Sequence, residues 1–275
     1  MISPFFIKLL QKQISLIHGT SPRYYEIGEG EKEPLCPYRK DGDSLFFKHQ
    51  KYFLKSLGIE NENLFRTQQV HGNNVYVLKN KKISTNEAIQ QKADAIVKHL
   101  PDFPIMILTA DCVPIIIYDP VENVTGLVHA GRMGTQKGIL TNTIEVLSRE
   151  YGSNPKNLLV GMGPAIRACC YEVDKYCALP FIKKSLGSSG FVKKTSREKY
   201  FLDLPKANRL EGLEAGVLGG NIFTDGPCTS CDTQKWYSYR KEGRTGRLMT
   251  VAMLRFRRYE HCNQYTSKCS VKAGL

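Results

Sequence analysis

Three apolar runs of strand length stand close together near the middle of this chain: IMILT at 105–109, IIIY at 115–118 and VTGLV at 124–128. Runs that are apolar at nearly every position, rather than at alternate ones, belong to strands buried on both faces. A sheet covered on both sides is what an α/β fold provides. The third run leads into His129-Ala130-Gly131, then Gly134 and Gly138, then apolar residues at Ile139, Leu140, Ile144, Leu147 and Tyr151. Those five positions share one face at helical spacing, so the order is strand, glycine-rich loop, helix. Such a loop directs backbone N–H groups out of a helix N-terminus, where phosphate binds, and Arg132 can add a charge-assisted hydrogen bond. Neither a Walker ending nor a GxGxxG turn is present, so a nucleotide cofactor is not implied.

The 275 residues, 41% hydrophobic and 24% charged, contain no repeat period and no Pro/Gly/Ser-rich linker, and residues 1–275 read as one domain. Lys8, Gln11 and Lys12 interrupt the apolar opening and no small-residue cleavage site follows, so neither a signal peptide nor a membrane span fits. Nine cysteines at irregular spacing resemble reduced thiols, which places the protein in the cytoplasm with no membrane partner.

The net charge of +13 raises the question of nucleic acid. Lys183, Lys184, Lys193, Lys194, Arg197 and Lys199 surround a Gly-Ser-Ser-Gly stretch, and Arg255, Arg257 and Arg258 precede a polar tail. Neither group has the interleaved aromatics of a single-strand groove, so both read as solvated surface and nucleic acid is not an expected partner. The field also suits an anionic small substrate.

Chemistry concentrates where the runs end. His71 lies in a tight polar stretch, residues 68–74, just before the β-rich run VYVL at 75–78. Asp111 and Cys112 sit between two core runs, where polar groups are costly unless partnered. His129 ends the third run. Two imidazoles and a thiol can hold zinc and leave a fourth position open. They can equally form a Cys-His nucleophile pair or play purely structural roles, and spacing does not choose among these.

Other residues have plain readings. Asp111 is the carboxyl nearest a candidate ligand, suited to acid/base work, to orienting a histidine, or to capping a turn. Cys228 and Cys231 have C-x-x-C spacing without a second such pair nearby, and adjacent Cys169 and Cys170 read as strand packing. Trp236, Tyr237 and Tyr239 read as an ordinary strand.

The segments Gln69-Val70-His71-Gly72, Thr109-Ala110-Asp111-Cys112-Val113-Pro114, His129-Ala130-Gly131, Gly163-Pro164-Ala165-Ile166, Cys170-Tyr171-Glu172-Val173, Asp203-Leu204 with Ala207-Asn208, Cys228-Thr229, Ser238-Tyr239-Arg240 and Thr245-Gly246-Arg247 resemble, in order, those of the YfiH/YlmD/LACC1 family, formerly named polyphenol oxidases or laccases. The resemblance implies a single-domain layered α/β sandwich of the YfiH/CNF1-like type, shared with Cys-His deamidase toxins. It implies a zinc-dependent purine nucleoside phosphorylase converting adenosine, inosine or methylthioadenosine and phosphate to free base and ribose-1-phosphate, with adenosine deaminase activity beside it. Such a protein acts on small molecules, as a monomer or a homodimer.

Carried over by motif, the metal ligands fall on His71, Cys112 and His129. The chemistry adds Asp111, the carboxyl nearest a ligand, to the catalytic set, and gives Arg132 and Arg240, with Arg23 as a further cation, as the groups able to hold substrate or phosphate. Zinc is the implied metal and copper the second choice, since six histidines are too few for multicopper chemistry. A Cys-His amide hydrolase acting on cell-wall precursors, a copper-type polyphenol oxidase and a non-catalytic family member remain the alternatives. The chain departs from the family in reading His129-Ala130-Gly131-Arg132-Met133-Gly134, where the family pattern resembles His-Ala-Gly-Trp-Arg-Gly. It also has His49-Gln50 in place of an Asn-Arg pair, and His18-Gly19-Thr20-Ser21-Pro22-Arg23 in place of His-Gly-Phe-Ser-Thr-Arg.

Overall fold

The computed structural model describes residues 3–28, 31–36, 44–60, 63–81, 91–184 and 190–255. In chain order its strands are β1 Leu16–Thr20, β2 Tyr24–Gly28, β3 Glu31–Pro34, β4 Val75–Leu78, β5 Ala95–Lys98, β6 Ile105–Thr109, β7 Val113–Asp119, β8 Val124–Ala130, β9 Leu159–Met162, β10 Glu172–Asp174, β11 Val192–Lys194, β12 Lys199–Leu202, β13 Ile222–Phe223 and β14 Leu248–Leu254. The helices are α1 Lys8–Gln11, α2 Ser44–Ser56, α3 Arg132–Gln136, α4 Ile139–Tyr151, α5 Lys175–Lys184, α6 Leu204–Glu214 and α7 Tyr239–Glu242.

A six-stranded mixed sheet in the order β13-β9-β7-β8-β5-β4 forms the middle of the molecule. The continuous apolar runs are explained by its two covered faces. Ile115 and Ile117 of β7 pack against Leu140, Ile144 and Leu147 of α4 and Leu204 and Ala207 of α6. Ile116 and Tyr118, one residue out of phase, pack against Ile105, Ile107, Ala252 and Leu254 of a second, three-stranded sheet ordered β1-β14-β6. The outer face of that sheet, Met106, Met249, Val251 and Met253, is closed by Phe53 and Leu54 of α2 and by Leu57 just beyond it. The result is a helix–sheet–sheet–helix sandwich, the layered α/β class. Each fully buried aliphatic side chain contributes about 1.5–3 kcal/mol over its exposed form.

Three local readings change. β7 begins at Val113, so Pro114 lies in the strand opposite His129 rather than in a connecting loop. The glycine-rich segment after His129 is already helical as α3, and Gly138, at φ +76°, separates it from α4. Gly134 fits because a Cβ there would lie 2.9 Å from Gly72 O. Trp236 and Tyr237 are not in a strand: the Asp232 carbonyl accepts the N–H groups of Lys235 and Trp236, and Ser238 Oγ accepts from Lys241 N to start α7. Both rings are buried beside Leu248.

Lys193, Lys194, Arg197 and Lys199 are exposed on or beside the small sheet β10-β12-β11, while Arg257 and Arg258 lie outside the described residues. No helix among the described residues is long and apolar enough to cross a membrane.

Candidate metal centre

Pairing decides what converges. β5 and β7 each run antiparallel to β8, with Ala95 opposite Val128 and Val113 opposite Ala130, and β4 is parallel to β5. The residues just before β4, β5 and β7 and the last residues of β8 therefore meet at one end of the sheet. Those residues include His71, Asp94, Cys112 and His129. The ligand atoms of His71, Cys112 and His129 all lie within 4.8 Å of one another. The two imidazoles stand edge to face, 4.7 Å between centroids at 80°. Gly131 permits this closeness, since a Cβ there would meet Cys112 Sγ at 2.9 Å and His71 Cδ2 at 3.1 Å.

Asp94, fully buried, organises the group. Its carboxylate accepts the backbone N–H groups of Val70, His71 and Gly72 at 3.2, 2.9 and 2.7 Å. Three N–H donors on one anion hold His71 in the left-handed region, φ +57°, a conformation that costs a non-glycine residue roughly 1–3 kcal/mol. Asp94 Oδ1 also lies 2.8 Å from His129 Nδ1, which leaves Nε2 as that ring's free donor atom.

The charges lock together. Burial works to raise the Cys112 thiol, but the His129 charge and hydrogen bonds from His129 and His71 bring it down to about 6. Burial works to lower His129, but Cys112 and Asp94 push it up to about 9. Asp94 is held below the usual carboxylate range: burial opposes ionisation, and the His129 contact and the N–H groups of Gly72 and Val70 outweigh it. Between those values Cys112 and His129 form a thiolate–imidazolium pair in the metal-free protein.

The centre opens into a cleft of about 970 Å³, within the size range of small-molecule sites. Arg66, Arg132, Arg240 and Arg247 line it, with Tyr171 and Tyr239. The Arg240 guanidinium lies 4.9 Å from the centroid of the Tyr171 ring and donates to Glu172 O at 2.6 Å. Asp111 also lines the cleft, but its carboxylate accepts from Thr229 Oγ1 and Arg240 N, each at 2.6 Å. It thus brackets the start of α7, with one oxygen on each partner. Arg23 is not among the cleft-lining residues; it pairs with Glu242 at 2.5 Å. His49, of the His49-Gln50 pair, is a buried acceptor for Cys36 N–H.

Asp94 was missed in the sequence. Its signal was the one that singled out Asp111 and Cys112, a carboxylate abutting an apolar run, here AIV at 95–97. Cys169 and Cys170 lie in a turn, not a strand, and the structure brings them to Cys228 and Cys231.

The family model described as multi-copper polyphenol oxidoreductase laccase matches residues 35–255. The Bacillus subtilis (strain 168) protein named purine nucleoside phosphorylase YlmD is 28% identical over 215 residues, 76% of this chain and 77% of the relative. A protein of an unknown prokaryotic organism named adenosine deaminase RL5 is 29% identical over 222 residues, 78% and 84% of the two chains. The crystal structure of Bacillus licheniformis YfiH is similar at a TM-score of 0.80 and 25% identity, covering 89% of this chain and 95% of that one.

Proposed function

The chain belongs to the family described as multi-copper polyphenol oxidoreductase laccase, and from that premise we propose that it is a zinc-dependent purine nucleoside phosphorylase. It would act as a single domain in the cytoplasm, where its reduced thiols fit. Adenosine, inosine or methylthioadenosine with phosphate are its substrates, and adenosine deamination is its second reaction. The observation that carries this reading is the convergence of His71, Cys112 and His129 beside a cleft lined by four arginines.

The donor set fits zinc. Zinc–nitrogen and zinc–sulfur bonds place the donors of a tetrahedral site about 3.3–3.6 Å apart, a small contraction from the 4.8 Å limit. Three protein ligands with an open side toward substrate is the arrangement of catalytic zinc, and Asp94 behind His129 is the carboxylate such histidines use. When bound there by His71, Cys112 and His129, zinc supplies a Lewis acid at the open position. Multicopper chemistry is disfavoured because His18 and His49 are both spent on backbone N–H groups in the core.

In phosphorolysis a phosphate oxygen bonds to C1′ as the C1′–N9 bond breaks, and the electron pair leaves with the purine, which takes up a proton. Arg132 and Arg240, with Arg66 and Arg247, hold the phosphate charge and set its oxygen in line. Tyr171, Tyr239 and Met133 offer the flat apolar surface that a purine needs.

Metal-replete protein is expected to release free base from these nucleosides only when phosphate is present. Partners behind metal ligands are worth about 10–100-fold, so loss of a ligand in Cys112→Ala should lower kcat/KM by more than about 100-fold. Full activity in that variant, or in metal-stripped wild type, would sink the reading.

A second reading has its own support. Cys112, His129 and Asp94 stand in the nucleophile, base and orienting-group order of a cysteine hydrolase, with the thiol already lowered to about 6. That arrangement suits amide hydrolysis on cell-wall precursors. It requires covalent capture of Cys112 by an electrophilic amide analogue in metal-free protein.

A further inference from the structure

Two loops outside the centre carry four cysteines to one point. Cys169 and Cys170 lie in the turn before β10, Cys228 and Cys231 in the segment after β13, and their four Sγ atoms are all within 4.8 Å of one another. Cys231 Sγ is 3.4 Å from the Sγ of Cys169 and 3.4 Å from that of Cys170. We propose that these four thiols bind a zinc ion in a closed, structural site, separate from the His71, Cys112 and His129 centre.

Distances favour an ion over a covalent link. Zinc–thiolate bonds of about 2.3 Å set the sulfurs of a tetrahedral four-cysteine site about 3.8 Å apart. The separations here, from 3.4 Å to at most 4.8 Å, bracket that edge. A disulfide needs about 2.05 Å, and all four cysteines are free.

The main chain brings the sulfurs together without their help. Ala165 and Cys228 form a parallel bridge, with Ala165 N donating to Pro227 O at 3.2 Å and Thr229 N to Ala165 O at 3.1 Å. The Arg167 guanidinium ties the same two loops, donating to Thr224 O and, at 2.9 Å, to Gly226 O. Cys170 N and Tyr171 N both donate to Arg167 O at 2.9 Å, which tightens the turn that presents Cys169 and Cys170. A site built this way pays little entropy on binding.

The donor chemistry selects the metal. Four sulfurs with no carboxylate in the group suit a borderline-soft ion in tetrahedral geometry and exclude magnesium and calcium. Binding releases the thiol protons to solvent, and the dication offsets the repulsion among the resulting thiolates. C-x-x-C at 228–231 is the usual spacing of half a structural zinc site; the other half is an adjacent pair far away in sequence.

The position gives the site a purpose. Tyr171, next to Cys170, lines the cleft, and Thr229, next to Cys228, bonds Asp111, which adjoins Cys112. Clamping the two loops therefore braces one wall of the cleft.

Elemental analysis of reduced, full-length protein tests the proposal. Wild type should hold two zinc ions per chain, and Cys112→Ala should hold one. Cobalt placed in Cys112→Ala should show intense thiolate-to-metal charge transfer, since every remaining ligand is sulfur. Cys228→Ser with Cys231→Ser, in an otherwise unchanged chain, should lose that ion and keep the one at the mixed-donor centre. The proposal is overturned if reduced, zinc-supplied Cys112→Ala binds no ion, or if its cobalt form lacks thiolate charge transfer. It is also overturned if anaerobically prepared wild type yields these cysteines as disulfides. Because Cys112→Ala leaves all four cysteines in place, the test stands even where the double variant fails to fold.

Discussion

At one end of the central sheet a single thiol shares its point in space with two imidazoles; on two loops beside the cleft four thiols share theirs with one another. Both groups place their donor atoms within 4.8 Å, yet they are built by different means. The mixed group hangs on strand ends whose register is set by the core, and a buried carboxylate orients it from behind. The all-sulfur group hangs on loops tied by main-chain hydrogen bonds, with Cys169 and Cys231 exposed. Three donors facing a cleft leave a position for substrate, whereas four sulfurs satisfy a tetrahedral ion and leave none. On the two proposals made above, the contrast separates a centre built for chemistry from one built for holding shape.

The sharpest way to break that contrast is Asp94→Asn. Asparagine cannot carry the charge that holds three N–H groups and His129, so kcat/KM should fall by about 10–100-fold. Zinc titration distinguishes positioning from general damage: affinity at the mixed centre should weaken while the four-sulfur ion is retained. Equal weakening at both would show that Asp94 acts only through overall stability.

Next in size is a pH effect on metal-stripped protein. With the Cys112 pKa lowered to about 6, its thiolate form is present above that pH and lost below it. Iodoacetamide labelling of Cys112, followed by peptide mass spectrometry, should therefore be about 10-fold faster at pH 7 than at pH 5. Cys231, which the neighbouring Cys170 thiol pushes up, should stay unlabelled over that range. Labelling of Cys112 only above pH 8 would remove the thiolate–imidazolium pair from the account.

The smallest expected effect falls on activity in Cys231→Ser. Because none of the four cysteines lines the cleft, kcat/KM should change by less than about threefold, while the melting temperature drops and its rise on adding zinc shrinks to what the mixed-donor centre alone supplies. A loss as large as that of Asp94→Asn would move this loop into the catalytic machinery.

Much of the frame was legible in the chain because it rests on local signals. A strand covered on both faces must be apolar at every position, so β6, β7 and β8 could be read as runs, and α4 from one face repeating at helical spacing. His71, Cys112 and His129 were legible as polar residues at the ends of those runs. Asp94 carried a similar signal but stood before a run of only three apolar residues, too short to attract notice. Trp236 and Tyr237 misled because alternation with polar residues looks the same whether the ring packs in a strand or in a turn.

By itself, then, the sequence determined the α/β class and the strands at the centre, since both follow from a residue's near neighbours along the chain, and it left His71, Cys112 and His129 as candidate donors that the family resemblance singled out. Only the tertiary structure decided that Asp94 stands behind His129, that Asp111 braces α7, and that Cys169 and Cys170 meet Cys228 and Cys231. Those facts depend on which strands pair and in what register, and pairing is settled by how whole layers bury their faces, a property no short stretch of sequence contains.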